Sequence, residues 1–232
     1  MRFGALLPNS LIDFPDHISC VLFVTGCNFT CPYCHNPELA AGNLDPQRSL
    51  SDTALYAFLE ERRSLLEGVV ISGGEPTLLP ELSQLCRTIK AMGYAVKLDT
   101  NGSRPGVLKR LVGEGSIDFV AMDIKTDPGR YAPLIQKAQR PEDLVESIET
   151  ILHSGLPHEF RTTCVAPLVT EETVDRIARC IRGAQKYVLQ RCHGGRVLDP
   201  TFFKNTGRVL ADSEMDRLRS LAAPWVEECI VR

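Results

Sequence analysis

The chain has 232 residues, with 44% apolar and 24% charged side chains, a composition that is globular and excludes disordered or fibrous classes. A chain of this length buries roughly 70% or more of its unfolded surface and needs no metal or disulfide merely to stay folded. Lys+Arg of 26 against Asp+Glu of 29 gives a net charge of -3, which excludes a strongly basic nucleic-acid binder.

In chain order, the longest early apolar run is Ile18 to Val24, far short of the roughly 20 residues that span a bilayer. Pro8, Asp13 and Pro15 break the N-terminal segment, so no secretory signal is expected there. The expectation is a cytoplasmic protein with no membrane or nucleic-acid partner. Strands are predicted at Ser19–Val24, Val69–Ser72, Ala95–Asp99, Phe119–Ile124, Glu159–Val165 and Tyr187–Gln190, several as continuous apolar runs of the kind that parallel strands show. Helices are predicted at Ser51–Leu66, Leu79–Met92, Val107–Val112, Pro141–His153, Glu171–Ile181 and Ser213–Leu221, with Trp225–Val231 as a terminal strand. Leu82, Leu85, Ile89 and Met92 recur at helical spacing before the stop at Gly93. No linker or internal repeat is visible, so the expectation is one α/β domain over residues 1–232. Its repeated strand–helix units imply a parallel sheet, either an incomplete barrel or an open doubly wound sheet, with chemistry at the C-terminal strand ends.

Nine cysteines, an odd number without an export signal, argue against a disulfide framework. Cys27, Cys31 and Cys34 are clustered, a spacing that chance would produce over the whole chain with a probability of roughly 0.01. Cys20, Cys86, Cys164, Cys180, Cys192 and Cys229 read as small buried hydrophobes. Three thiolates on one loop can hold three irons of a four-iron cube and leave the fourth without a protein ligand. Three blander readings compete, of which plain core cysteines are disfavoured by the spacing. Cys31-Pro32-Tyr33-Cys34 alone is a redox pair, which leaves Cys27 idle. A structural zinc site would need His35 or His17 as its fourth ligand.

Polar groups follow the other predicted strands. Ser72-Gly73-Gly74-Glu75-Pro76 offers close backbone approach and acceptors for an ammonium group, or else an ordinary turn. Asp99-Thr100-Asn101-Gly102 contains a strong turn signal. Asp123 and Lys125 lie two apart and share a strand face. Arg161 stands among apolar strand residues, where its charge needs a partner, a core carboxylate being the bland choice.

Cys27-x-x-x-Cys31-x-x-Cys34, with Tyr33 before the last cysteine, resembles the radical S-adenosylmethionine (SAM) superfamily. The frame from Gly26 to Pro37, and the leader Ser10-Leu11-Ile12-Asp13-Phe14-Pro15, resemble the glycyl-radical-enzyme activases, in particular the single-domain activating proteins of anaerobic ribonucleoside-triphosphate reductase. The resemblance implies an incomplete (β/α)6 barrel, one [4Fe-4S] cluster on Cys27, Cys31 and Cys34, and no ferredoxin-like insertion. It implies reduction by flavodoxin or ferredoxin, cleavage of SAM to a 5′-deoxyadenosyl radical, and a glycyl radical installed on a partner enzyme. It assigns Tyr33, Gly73, Gly74, Glu75, Asp99, Asp123, Lys125 and Arg161 to SAM, with Lys125 on its carboxylate. It also offers Asp99, Thr100 and Asp123 to a monovalent cation. Cys192 and His193 receive no role. The rival functions are a radical SAM enzyme for a small molecule, of the deazaguanine-synthase kind, and a non-catalytic metal-site protein.

Overall fold

The computed structural model describes residues 2–42, 49–131, 134, 140–193 and 195–232. In chain order the elements are β1 (Arg2–Phe3), β2 (Ala5–Ser10), β3 (Ser19–Val24), α1 (Pro37–Ala41), β4 (Leu50–Ser51), α2 (Asp52–Glu61), β5 (Gly68–Gly73), α3 (Leu82–Ala91), β6 (Ala95–Thr100), α4 (Pro105–Gly113) and β7 (Phe119–Asp123). They continue with α5 (Pro141–Leu152), β8 (His158–Ala166), α6 (Glu171–Cys180), β9 (Lys186–Arg191), α7 (Pro200–Asn205), β10 (Arg208–Val209), α8 (Asp212–Ala222) and β11 (Glu228–Val231). The chain divides into two compact units, each discontinuous in sequence. The first holds Met1–Asn28, Glu38–Thr100 and Gly106–Val120, the second Phe29–Pro37, Asn101–Pro105 and Ala121–Arg232.

In the first unit β3, β5 and β6 pair in parallel, with Val21 beside Val70 and Val70 beside Lys97. β2 runs antiparallel to β3. On one face Cys20, Leu22, Val69, Ile71, Val96 and Leu98 are fully buried, and α3 contributes the buried stripe Leu82, Leu85, Cys86 and Ile89. The opposite face carries a cluster of Phe14, Val21 and Val70, against which Phe23, Ala95 and Phe119 pack. The leader explains itself here. Ser10 Oγ donates to Asp13 Oδ2 at 2.5 Å and closes a turn that delivers Phe14 into this cluster. A Cβ on Gly68 would come within 2.7 Å of the Phe14 ring, so the strand needs a glycine there.

In the second unit β8, β9 and β11 pair in parallel, and β10 lies antiparallel to β8. Tyr187 of β9 donates its hydroxyl proton to Thr162 Oγ1 of β8 at 2.8 Å, satisfying two buried polar groups together.

The α/β class and the predominance of parallel pairing agree with the sequence reading, and β3 has the predicted bounds. Three differences have local causes. α3 starts at Leu82 rather than Leu79, because Pro80 keeps the residue before it out of helical conformation. α2 ends at Glu61, where the chain turns at Arg62. The strand β2 carries Pro8 and exposed residues, so no apolar run announces it, and a proline is tolerated on a strand with few ladder partners. Among the scattered cysteines, Cys20, Cys86, Cys164 and Cys192 are buried as expected, but Cys180 is exposed at the end of α6 and Cys229 is half-buried. Among the described residues no helix is long and apolar enough to cross a membrane.

Candidate functional site

In the first unit the predicted residues gather at the C-terminal ends of β3, β5 and β6. Gly73 ends β5 with φ of +114°, and a Cβ on it would lie 2.4 Å from the Val24 carbonyl oxygen. A Cβ on Gly74 would lie 2.0 Å from the Gly26 carbonyl oxygen. The close approach that these glycines permit is therefore to the backbone leading into Cys27. Gly74 N donates to Val24 O at 3.0 Å and Glu75 N to Gly26 O at 2.8 Å. On its other side Gly26 N donates to Leu39 O at 2.7 Å and Cys27 N to Ala40 O at 3.1 Å, so the start of the cysteine segment is held from both flanks.

Glu75 is buried, and its Oε1 accepts from Thr77 N at 3.0 Å, from the Thr77 hydroxyl, and from Thr100 Oγ1 at 2.7 Å. It thus caps the turn Pro76–Leu78 and ties it to β6. Thr77 is a participant that the sequence reading passed over, because its role follows from the buried Glu75 carboxylate it meets. Asp99, near the end of β6, pairs with Lys97 Nζ at 2.7 Å. The sequence reading missed Lys97, a lone charge in the run Ala95-Val96-Lys97-Leu98.

In the second unit lie Cys31, Tyr33 and Cys34. Cys34 N donates to Cys31 O at 3.0 Å, forming a tight turn. The segment before α7 straps this turn, Leu198 N donating to Cys34 O at 3.0 Å and Asp199 N to Pro32 O at 2.9 Å. His35 Nε2 lies 3.0 Å from the His193 carbonyl oxygen, so His193 serves the turn through its backbone. Tyr33 is buried and donates to Lys125 O at 3.5 Å, while Lys125 N donates to the Tyr131 hydroxyl at 2.5 Å. The backbone just past β7 is thus gripped by two tyrosines. Tyr131 was not legible in sequence, because nothing local marks it.

Asp123 joins two cations, Lys125 Nζ at 2.9 Å from Oδ2 and Arg161 Nε at 2.8 Å from Oδ1. Arg161 also has Glu159 Oε1 at 3.7 Å. Burial acts to raise the Asp123 carboxyl, but the adjacent Arg161 and Lys125 charges outweigh it and hold the group well below the usual carboxylate range. Burial acts to lower Lys125, and the Asp123 charge overrides it, pushing the ammonium up to about 12. Burial, reinforced by the Cys31 sulfur, raises the Tyr33 phenol well above its ordinary value, so it stays protonated.

For iron the donor set is suitable in kind. Cys27, Cys31 and Cys34 are free of disulfides, and Cys27 and Cys34 are partly exposed. Thiolates are the usual ligands of iron–sulfur clusters. Among the described residues no three His, Cys, Asp or Glu side chains converge as a single metal ion requires.

A family model described as the radical SAM superfamily matches residues 21–182. At 29% identity over 228 residues, 96% of this chain and 92% of the relative, the sequence is similar to a protein of Methanocaldococcus jannaschii assigned by name to the glycyl-radical enzyme activating enzymes. It is 29% identical over 189 residues to the pyruvate formate-lyase-activating enzyme of Clostridium pasteurianum, covering 78% of this chain and 76% of that one. Among solved structures, Streptococcus suis SuiB bound to S-adenosylmethionine superposes with a TM-score of 0.67 at 13% identity. That match covers 90% of this chain and 48% of the longer SuiB chain, and it speaks for the fold.

Proposed function

The chain belongs to the radical SAM superfamily, and on that premise we propose that it is a glycyl-radical-enzyme activating enzyme whose partner is an anaerobic ribonucleoside-triphosphate reductase. The observation that carries the activase reading is the similarity to the Methanocaldococcus jannaschii protein over nearly the whole of both chains. The leader, Ser10 to Pro15, supports the choice of partner. In this reading residues 1–232 form one radical SAM domain with a single cluster, working in the cytoplasm with a flavodoxin or ferredoxin donor and without nucleic acid.

Cys27, Cys31 and Cys34 would hold a [4Fe-4S] cluster, with one iron left for SAM. When bound, the cluster and SAM would supply reductive cleavage of the sulfonium, the radical chemistry that removal of a hydrogen atom from a glycine of the partner requires. The chain's own work is to bind, orient and exclude water. Gly73, Gly74 and Glu75 present carbonyl and carboxylate acceptors for the methionyl amine. Lys125 and Arg161 supply positive charge for the methionyl carboxylate, with Asp123 holding both in place. Tyr33 anchors the cysteine turn to Lys125 and keeps its proton. Asp99 completes the assigned SAM residues. A monovalent cation at Asp99, Thr100 and Asp123 fits poorly, because each carboxylate already faces a protein cation of its own unit.

The test is anaerobic reconstitution followed by incubation with SAM, reduced flavodoxin and the candidate reductase. The expected result is 5′-deoxyadenosine together with the glycyl-radical doublet in the electron paramagnetic resonance spectrum. Formation of 5′-deoxyadenosine with a small-molecule substrate, and with no glycyl-radical enzyme responding, would overturn the activase reading.

A further inference from the structure

Lys97 is the least expected charge in the molecule. Its side chain is 1% exposed, and lysines are almost never fully buried unless paired. It stands beside Val70 in register, on the face that carries the Phe14, Val21 and Val70 cluster, and its ammonium lies 5.6 Å from the centre of the Phe119 ring. An ordinary core would place an aliphatic side chain there. The ammonium instead reaches two residues along the same strand face to Asp99, whose side chain is 12% exposed, and meets Oδ1 at 2.7 Å.

We propose that Lys97 is a positioning residue that supplies from within the chain the positive charge Asp99 requires, so that no monovalent metal ion from solution is needed at that carboxylate. This rests on the reading of Asp99 as part of the SAM site. A metal ion at Asp99 would sit close to the buried ammonium and meet like-charge repulsion in surroundings that screen it poorly. Thr100, the other ligand expected on β6, donates its hydroxyl proton to Glu75 at 2.7 Å and is oriented by that bond. Asp123, in the second unit, is met by Lys125 and Arg161. The end of β6 thus departs from the cation-binding arrangement that the motifs imply, and Lys97 is the residue that makes the departure there.

The test uses the full chain as wild type, Lys97→Met, and the double variant Lys97→Met/Asp99→Asn. The dissociation constant for SAM is measured on the anaerobically reconstituted proteins in KCl, NaCl and choline chloride at equal ionic strength. Thermal midpoints of the cluster-free chains are recorded in the same salts. Wild-type affinity and midpoint should not distinguish the salts. Lys97→Met should bind SAM about ten-fold or more weakly in choline chloride and recover most of that loss in NaCl or KCl. Its midpoint should rise in the metal salts alone, and the double variant, with no carboxylate left to neutralise, should show no such rise. Wild-type SAM binding that needs K⁺ or Na⁺ by about ten-fold would overturn the proposal. So would Lys97→Met binding SAM as well as wild type in choline chloride. If Lys97→Met does not fold, the wild-type salt series decides, since dependence refutes the proposal and independence supports it. If wild type binds SAM in no salt, the SAM reading fails, and the midpoints of the cluster-free chains still judge Lys97.

Discussion

Replacing Lys125 by alanine separates two roles that the structure superimposes. The ammonium lies 2.9 Å from Asp123 Oδ2 with side-chain exposures of 18% and 24%, between the fully buried and the surface case. Surface pairs are worth about 0–1 kcal/mol, and breaking a buried pair costs about 3–5 kcal/mol. Arg161 remains on Asp123 at 2.8 Å after the substitution, so the carboxylate is not orphaned. The expected loss of folding stability is therefore about 1–2 kcal/mol. The loss of SAM affinity should be larger in effect. A charge-assisted hydrogen bond to the methionyl carboxylate is worth roughly 1.5–3 kcal/mol, which corresponds to about a 10- to 150-fold rise in the dissociation constant. Lys125→Arg should restore stability more fully than SAM affinity, because a planar fork does not reproduce a compact ammonium in a confined site. Urea unfolding measures the first quantity, and calorimetric titration of SAM into the anaerobically reconstituted proteins measures the second. Unchanged SAM affinity in Lys125→Ala, alongside the predicted stability loss, would reduce Lys125 to a counter-ion of Asp123 and refute its assignment to SAM.

Cys27→Ala, Cys31→Ala and Cys34→Ala should each abolish a full four-iron cluster, whereas Cys86→Ala should keep it and lose about 1 kcal/mol of stability; iron and sulfide analysis with urea melts checks both. Gly74→Ala places a Cβ 2.0 Å from the Gly26 carbonyl oxygen and should destabilise by about 1–3 kcal/mol. Gly93→Ala, in open space but at φ of +94°, should cost only about 1 kcal/mol, and equal effects in thermal melts would contradict the packing argument. Burial pushes the thiols of Cys20, Cys86 and Cys164 up to about 12. Unfolded thiols titrate near 8.5, so the stability these groups contribute is complete below about pH 8.5 and is lost as pH rises toward 12. The unfolding free energy from urea melts should accordingly fall above about pH 9, and Cys86→Ala should reduce that fall by up to about 1.4 kcal/mol per pH unit; an unaltered slope would refute it. Iodoacetamide at neutral pH should modify Cys180 in the folded chain and spare Cys20, Cys86 and Cys164, as peptide mapping would reveal.

The residues alone determined the repeated strand–helix order, the bounds of β3, the stop of α3 before Gly93, and the loop that carries three thiols. Those features are local. Apolar period, turn chemistry and cysteine spacing are properties of short windows, and they survive without knowledge of neighbours. The Asp123–Lys125 contact was legible because the two residues are near neighbours in sequence, although β7 ends at Asp123 and Lys125 lies just past it rather than on the strand. The tertiary structure decided whatever depends on which segments meet. It brought Arg161 to Asp123 across 38 positions of sequence, and Leu198 and Asp199 onto the cysteine turn. It packed Gly73 and Gly74 against the backbone of Val24 and Gly26, where an added Cβ would clash. It turned Lys97 from an interruption in an apolar strand into the partner of Asp99. A buried charge is tolerated only where a counter-charge and satisfied hydrogen bonds surround it, and that environment is assembled by chain segments whose meeting no single window of sequence encodes.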